Sequence, residues 1–527
     1  MGGLLKVLGY TDFDSKLSNG LTVVVNVGHD NIDKVYRGRY VKIVSEEGRV
    51  FLGRVGDGPY YFLEGVSSSS PIVKEFSIRG DRFIKLPPYY ASYKVEIMGE
   101  VKGSRLRPSF TRPRPKSPVY EIDGVELEKI LNLNGEMVLG YLIGYKGVKV
   151  KLPAHSMDFL PRNVGIFGTV GSGKSNTAQV LIEEAARLGW AVFVLDLEGE
   201  YTFMDQPSQE PAVSELESVF KLKAEGLKNF EVYVPAGRTS TRFKAIRFTI
   251  PFHEMDPYIL FEIMEATEAQ QRYFSKILSE LKEVRRMEEA DEFEKVILST
   301  SSVGQVAYTL VDAKNKVEEK LREARASYRI ASLEVILSKL ERLEGYGIFD
   351  GKQVLPVADR IKKSYVTVID LSDVEDRVRN IVISWLLYKI FKLKVSNPKL
   401  PPTMIVIEEA HAFISKEVRD KMKATIDMLK TIARRGRKRW ISLVFVSQQP
   451  GHLPPEIFEL CNTRIIHSLK SEYNIKALKE TSGLVSEEYW RILPTLSIGE
   501  AILTSPLLIH PLLVKIRPAK TMRYKMQ

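Results

Sequence analysis

Hydrophobic and polar positions alternate with a period near two over residues 21–27, 40–44, 50–55 and 93–98, with Gly, Asn and Asp between the runs. Such alternation describes strands with one face buried. Their spacing, near ten residues, predicts a small β-barrel or sandwich over residues 1–110. Near residue 140 the pattern changes. Continuous apolar runs at 164–167, 191–195, 365–371, 404–407 and 443–446 read as strands buried on both faces, and helical periodicity such as that of 175–188 separates them. This predicts an α/β domain on a parallel sheet over 140–251 and 351–505. The intervening segment, 252–350, places Phe274, Ile277, Leu278 and Leu281 on one helical face and Leu333, Ile336, Leu337, Leu340 and Leu343 on another. It reads as a helical-bundle insertion.

Two segments lack either period. The stretch VKGSRLRPSFTRPRPKSP (101–118) has six basic residues, four prolines and no acid. With it, 111–139 reads as a linker or strap, solvated or in contact with nucleic acid or a neighbouring subunit. Residues 506–527 read as a polar-basic tail with one strand-like piece.

Composition narrows the class. The 527 residues correspond to three or four units, and 44% apolar with 27% charged residues fits a soluble globular protein. Lys and Arg number 77 against 66 Asp and Glu, a formal charge of +11 that permits a polyanionic partner. A single cysteine, Cys461, excludes an intramolecular disulfide framework and a cysteine zinc site; it is expected to be buried and inert. No secretory pattern follows Met1, and no apolar run is long enough to span a bilayer. A cytoplasmic protein without a membrane partner is expected.

The strongest chemical signal is Gly168-Thr169-Val170-Gly171-Ser172-Gly173-Lys174-Ser175, which fulfils G-x-x-x-x-G-K-[ST] between a strand and a helical pattern. The glycines let backbone amides face phosphate oxygens, and the helix start adds positive potential through Asn176. Lys174 supplies a charge for the β- and γ-phosphates of ATP, and the Ser175 hydroxyl a ligand for Mg²⁺. Downstream, the run 404–407 ends in Glu408-Glu409. Two acids at the carboxyl end of a buried strand suit a Walker B element, with Glu408 holding Mg²⁺ through water and Glu409 polarising the attacking water. The run 443–446 is followed by Gln448, a candidate γ-phosphate sensor. The run 191–195 is followed by Asp196 and Glu200, acids that support the metal or nucleophilic water or cap a turn. His411 is expected to pack or cap near this site.

Residues 430–439 hold six basic residues in ten and no acid. Arg434 and Arg437 are candidates for a finger inserted into a neighbouring subunit's ATP site at a ring interface. Arg464 is a second candidate. Arg162 is a nucleotide or neighbour contact or a structural ion pair.

Together, GIFGTVGSGKSNT (165–177), VLDLEGEY (194–201), MIVIEEAH (404–411), IARRGRK (432–438), VFVSQQP (444–450) and the Asn-Thr-Arg-Ile of 461–465 resemble the HerA/FtsK superfamily of P-loop motor ATPases, its archaeal HerA branch in particular. The resemblance covers roughly 140–515. It implies a RecA-like motor domain and an N-terminal small barrel. It also implies a homohexameric ring with ATP and Mg²⁺ at the subunit interfaces and double-stranded DNA through the pore. The implied activity is a DNA-dependent ATPase, translocase or helicase that acts with the nuclease NurA and a break-repair complex in DNA-end resection. By motif, Lys174, Ser175, Glu408, Glu409, Asp196, Glu200 and Gln448 carry the site, with Arg434 or Arg437 as the finger in trans. Asn163 stands where His is frequent, and Arg435 where an acid is common, which blurs the choice of finger. A DNA-transfer coupling ATPase and a nucleotide-gated clamp with negligible turnover are the alternatives.

Overall fold

The structure is a computed structural model that describes residues 6–13, 21–63, 65–67, 69–79, 88–288, 308–412, 414, 423–483 and 485–525. The centre of the expected helical insertion, 289–307, and the chain start lie outside the described residues. The chain divides into two compact units: 1–153 with 484–492 and 502–516, and 154–483 with 493–501 and 517–527.

In the first unit the strands are β1 (Val7–Thr11), β2 (Thr22–Gly28), β3 (Tyr40–Val44), β4 (Val50–Val55), β5 (Tyr60–Leu63), β6 (Tyr89–Lys102), β7 (Arg105–Arg107) and β8 (Pro118–Glu121). Antiparallel pairing runs β2-β1-β8-β3-β4-β6, and β6 then returns to β2 in register from Thr22↔Glu96 to Gly28↔Tyr90. Six strands therefore close into a barrel, which leaves no edge among them. β6 can serve both neighbours because it is 14 residues long. A register shift at Leu52/Gly53 adds the local bend that closure needs. The alternation seen in the sequence points Val25, Ile43, Phe51 and Val95 into the core.

The expected linker is part of this unit. β8 is a stave between β1 and β3. The helix Gly124–Ile130 follows it, with the Asp123 carboxylate accepting from the amides of Val125 and Glu126. Proline signals mislead here because Pro118 opens a strand, where its missing N–H is tolerated. β9 (Met137–Leu142) and β10 (Tyr145–Leu152) form a hairpin, and the strand Leu512–Ile516 joins β9 antiparallel. The first unit thus runs to residue 153, and the strand-like piece expected in the tail is the strand Leu512–Ile516.

The second unit holds β11 (Val164–Phe167), β12 (Ala191–Asp196), β13 (Phe230–Pro235), β14 (Ile246–Phe248), β15 (Val366–Asp370), β16 (Thr403–Ile407), β17 (Ile441–Ser447) and β18 (Thr463–His467). All pair in parallel, in the order β18-β11-β17-β16-β12-β15-β13-β14. This is the RecA-like sheet expected, with its P-loop strand β11 inside it. Parallel pairing brings every carboxyl end to one edge, where such sheets build their sites. The insertion is helical: Glu268–Glu288, Leu310–Glu323 and Ser327–Gly345 pack on one another. Phe274, Ile277, Leu278, Leu281, Leu333, Ile336, Leu340 and Leu343 are buried, while Leu337 is half-buried. Among the described residues, no helix is long and apolar enough to cross a membrane.

The last residues strap the helix Lys174–Arg187 that follows the P-loop. Arg517, fully buried, meets Glu183 at 2.8 Å and Glu184 at 3.1 Å. The other Glu183 oxygen accepts from the amides of Lys520 and Thr521 at 2.7 and 2.9 Å. Removing one partner of a buried pair strands the other charge. Arg517→Met is therefore expected to cost about 3–5 kcal/mol, read as a lower denaturant midpoint of this unit. Arg272→Ala, which breaks an exposed pair with Glu268, should cost less than about 1 kcal/mol.

Candidate nucleotide site

β11 delivers the chain at Gly168 into a tight loop. The Thr169 carbonyl accepts from Ser172 Oγ at 2.7 Å and from Lys174 Nζ at 3.1 Å, so the lysine folds back over the loop. Gly173 has φ +114°, and a Cβ there would lie 3.0 Å from the Gly499 backbone. Only glycine meets both demands. The first amides of the helix Lys174–Arg187 have no intrahelical acceptor and face outward from its start. Ser175 sits half-buried in that first turn. Asn176 does not face this cradle. Its Nδ2 donates to the Arg517 carbonyl at 2.9 Å and its Oδ1 accepts from the Ala519 amide. Its side chain clamps the C-terminal strap, while its backbone amide remains in the first turn of the helix.

Burial pushes the Lys174 ammonium below its ordinary pKa, against the charges of Glu409, Glu408 and Glu200. These acids come from two strand ends. Asp196 closes β12, fully buried, and its carboxylate accepts from the amides of Glu200 at 3.1 Å and Tyr201 at 2.8 Å. Burial, and then the charge of Asp370, raise its pKa to about 7. Glu408 follows β16. Burial, then the charges of Asp196 and Glu200, push it well above the carboxylate range. The charge of each carboxyl bears on the other, so the pair resists full ionisation. Glu408 Oε2 is buried with no hydrogen-bond partner, while Glu200 Oε2 lies 3.8 Å from the Arg523 guanidinium. An orphaned acidic oxygen such as that of Glu408 suits a divalent cation. No preformed cluster of three metal-ligating side chains exists among the described residues. A cation therefore fits here only together with other oxygens, such as phosphates and the Ser175 hydroxyl.

Glu409 differs from its neighbour. Burial alone would raise it, but contacts from His411 and Gln448 and the Lys174 charge hold it below the usual carboxylate value. Gln448 Nε2 donates to Glu409 Oε1. His411 Nδ1 lies 3.2 Å from Glu409 Oε2 and 3.3 Å from Ser447 Oγ. Glu409 also takes φ +40°, a strained backbone for a side-chain-bearing residue. Adjacent acids thus diverge: burial and neighbouring acids push Glu408 up, while His411, Gln448 and Lys174 hold Glu409 down.

The arginine candidates separate on geometry. Arg464 is a correction: it is buried, donates to the Cys461 carbonyl at 3.1 Å and Thr481 Oγ1 at 2.9 Å, and stacks on Phe458. Own-chain acceptors consume its donors, so it braces rather than reaches outward. Asp158 holds both Arg162 at 3.0 Å and Arg437 at 2.9 Å. Arg434 is exposed in the last turn of the helix Lys423–Arg435, with no ion pair among the described residues. Cys461 is buried, its thiol pushed up to about 12. Sequence reading missed Asp370, which accepts from Ser240 and Ser372 hydroxyls at 2.5 and 2.7 Å beside Asp196. The only sequence signal was its place ending an apolar run.

The raised carboxyl pKa values of Asp196 and Glu408 predict a pH dependence. Carboxyl pKa values raised on folding contribute stability that is complete below about pH 4 and is lost as pH rises through the folded values, about 7 for Asp196. Glu408→Gln relieves this loss. Without nucleotide or divalent cation, the variant's denaturant midpoint should gain on that of the unaltered protein between pH 5 and 7. The gain should be up to about 1.4 kcal/mol per pH unit. Parallel pH profiles would contradict the assignment.

Known proteins place this geometry. Residues 137–390 match the family model described as Helicase HerA, central domain. A DNA double-strand break repair helicase HerA of Saccharolobus solfataricus is 26% identical, over 81% of this chain and 78% of its own. Its namesake in Sulfolobus acidocaldarius is 24% identical over 94% and 91%. A probable helicase of Methanocaldococcus jannaschii is 26% identical over 81% and 76%. Among solved structures, VirB4 of Thermoanaerobacter pseudethanolicus superposes with a TM-score of 0.52 at 17% identity, over 73% of this chain and 97% of that one, a likeness of fold. With a P-loop and paired strand-end acids in a chain whose residues 137–390 match the HerA central domain, this protein is similar to the HerA helicases and is an ATP-hydrolysing enzyme.

Proposed function

We propose that the chain is a Mg²⁺-ATP-driven translocase or helicase on double-stranded DNA. In this reading it works as a homohexameric ring in DNA-end resection with a NurA-type nuclease. The observation that carries it is the split environment of Glu408 and Glu409 beside Lys174: a fully buried acid with an unpartnered oxygen next to one that accepts a hydrogen bond from Gln448 and is held low by His411 and Lys174. A passive nucleotide clamp has no use for that division.

In this reading Lys174 and the amides of 168–175 would hold the phosphates, and Ser175 and Glu408 would hold Mg²⁺, which would supply charge neutralisation. Glu409 orients the attacking water and takes its proton, and Gln448 reports its state. Asp196 and Glu200 would support the metal's water or the attacking water. Arg434 supplies the missing positive charge to a neighbouring subunit, since it is exposed while Arg437 is occupied by Asp158. The names of the HerA relatives support DNA as the track.

Steady-state hydrolysis with and without linear duplex DNA tests the reading. Lys174→Ala should abolish turnover. Arg434→Ala should lower it about 10³-fold or more while nucleotide still binds. Mixing the two variants should restore part of the activity, because the intact finger of one subunit reaches the intact site of another. Turnover indifferent to DNA at every salt concentration would contradict the motor, and inactive mixtures at all ratios would contradict the finger. Mass measurement should give six subunits; a monomer under all conditions removes ring and finger together.

A further inference from the structure

The connection between β13 and β14 reads AGRTSTRFKA (236–245), and Arg247 follows in β14. Residues 236–248 contain Arg238, Arg242, Lys244 and Arg247 and no acid. At the tip Phe243 is fully exposed. Leaving a phenyl ring in water forgoes roughly 1.5–3 kcal/mol of burial, so its placement suits a partner. Arg238, Arg242, Phe243 and Arg247 line one open groove.

The four cations have different duties. Arg242 makes a two-pronged pair with Asp205, both contacts at 2.7 Å, and Arg238 pairs with Glu375. These two fix the loop. Lys244 and Arg247 are exposed and form no ion pair among the described residues. A pair of free cations around an exposed aromatic matches the needs of nucleic acid: phosphates for the charges and a base or sugar for the ring. An acidic peptide would satisfy the charges alone.

The loop also touches the nucleotide site. Thr241 N donates to Asp370 at 3.1 Å, and Ser240 Oγ to the same oxygen at 2.5 Å. Asp370 ends β15 in register with Asp196 of β12. Thr241 Oγ1 lies 2.8 Å from Thr202 Oγ1. Gly199 has φ +71°, and a Cβ there would come within 2.6 Å of Thr241 Cγ2. The loop therefore rests on residues 199–205, which leave the site through Asp196 and Glu200.

We propose that residues 238–247 form a DNA-contact loop, with Lys244 and Arg247 on phosphates and Phe243 against a base or sugar, and that Thr241 ties this loop to the acids of the nucleotide site. The proposal rests on the motor reading and names where DNA is held. Anisotropy of a labelled duplex, measured across salt on the full chain with a slowly hydrolysed ATP analogue, tests it. The double variant Lys244→Ala/Arg247→Ala should reduce the slope of log affinity against log salt by about 1.8, at about 0.9 per phosphate. Phe243→Ala should keep the slope but lose about 5- to 100-fold in affinity. Thr241→Val should keep DNA affinity while the ratio of DNA-stimulated to DNA-free turnover falls towards one. Unchanged unfolding midpoints of the exposed variants establish that they fold. If the unaltered protein binds DNA and the loop variants match it in slope, affinity and stimulation, the loop assignment falls and the motor stands. If the loop variants change only subunit assembly, the loop is an interface and the assignment also falls. If the unaltered protein fails to bind duplex even at low salt, both readings fall.

Discussion

Burying acids at the carboxyl edge of a parallel sheet is the constraint around which the second unit is arranged. Asp196 and Glu408 end neighbouring strands and are buried, with Glu200 close by. Like charges about 4 Å apart repel by roughly 4 kcal/mol at an effective dielectric near 20, on top of the cost of desolvation. Three forms of relief are available: a proton, a cationic side chain or a bound cation. Burial raises the pKa of both Asp196 and Glu408, Lys174 adds a positive charge nearby, and the Asp196 carboxylate draws on the amides of Glu200 and Tyr201. A cation held by these acids together with phosphates would offer the third form of relief.

Such a cluster needs a rigid frame on one side. Asn176, Gln179, Glu183 and Glu184 recur at helical spacing along the helix after the P-loop, and all four side chains meet residues 517–522. The Arg517–Glu183 pair is made across 334 residues of chain. Buried ion pairs are poor sources of net stability but strict about geometry. Their use here fits a helix whose amino end must present amides and Lys174 in a fixed place.

What could be read from the sequence was local. The P-loop is contiguous and its glycines are required by backbone conformation, so 168–175 stood out, as did Glu408-Glu409 behind an apolar run. Barrel alternation was legible for the same reason. Asn176 looked like part of the nucleotide cradle because its neighbours are; its true partner lies in the chain's last dozen residues, and no local pattern records that. Arg464 resembled a free cation since its acceptors, the Cys461 carbonyl and Thr481, are a carbonyl and a hydroxyl rather than acids. The proline-rich stretch concealed β8 because a short stave flanked on both sides takes its register from β1 and β3. β13 and β14 went unread: six and three residues are too few for a period, and the second is fixed by pairing with the first.

The strap holds both sides of this edge. It pins the P-loop helix, and its Tyr524 stacks on Phe203 and donates its amide to the Glu200 carbonyl at 2.9 Å. Residues 197–205 and 238–247 are also held by each other, by Asp370, Asp373 and Glu375, and by the two amides that Asp196 accepts. Those two amide bonds are strongest when the Asp196 oxygens carry full charge and face nothing else. A cation beside Glu408 would compete for that charge and weaken the hold on Glu200 and Tyr201. Any shift of this turn must pass to Thr241, because Gly199 leaves no space between them. Close packing transmits displacement rather than absorbing it. The missing Cβ at one glycine, more than any charge, makes the acids of the nucleotide site and the basic loop a single mechanical element.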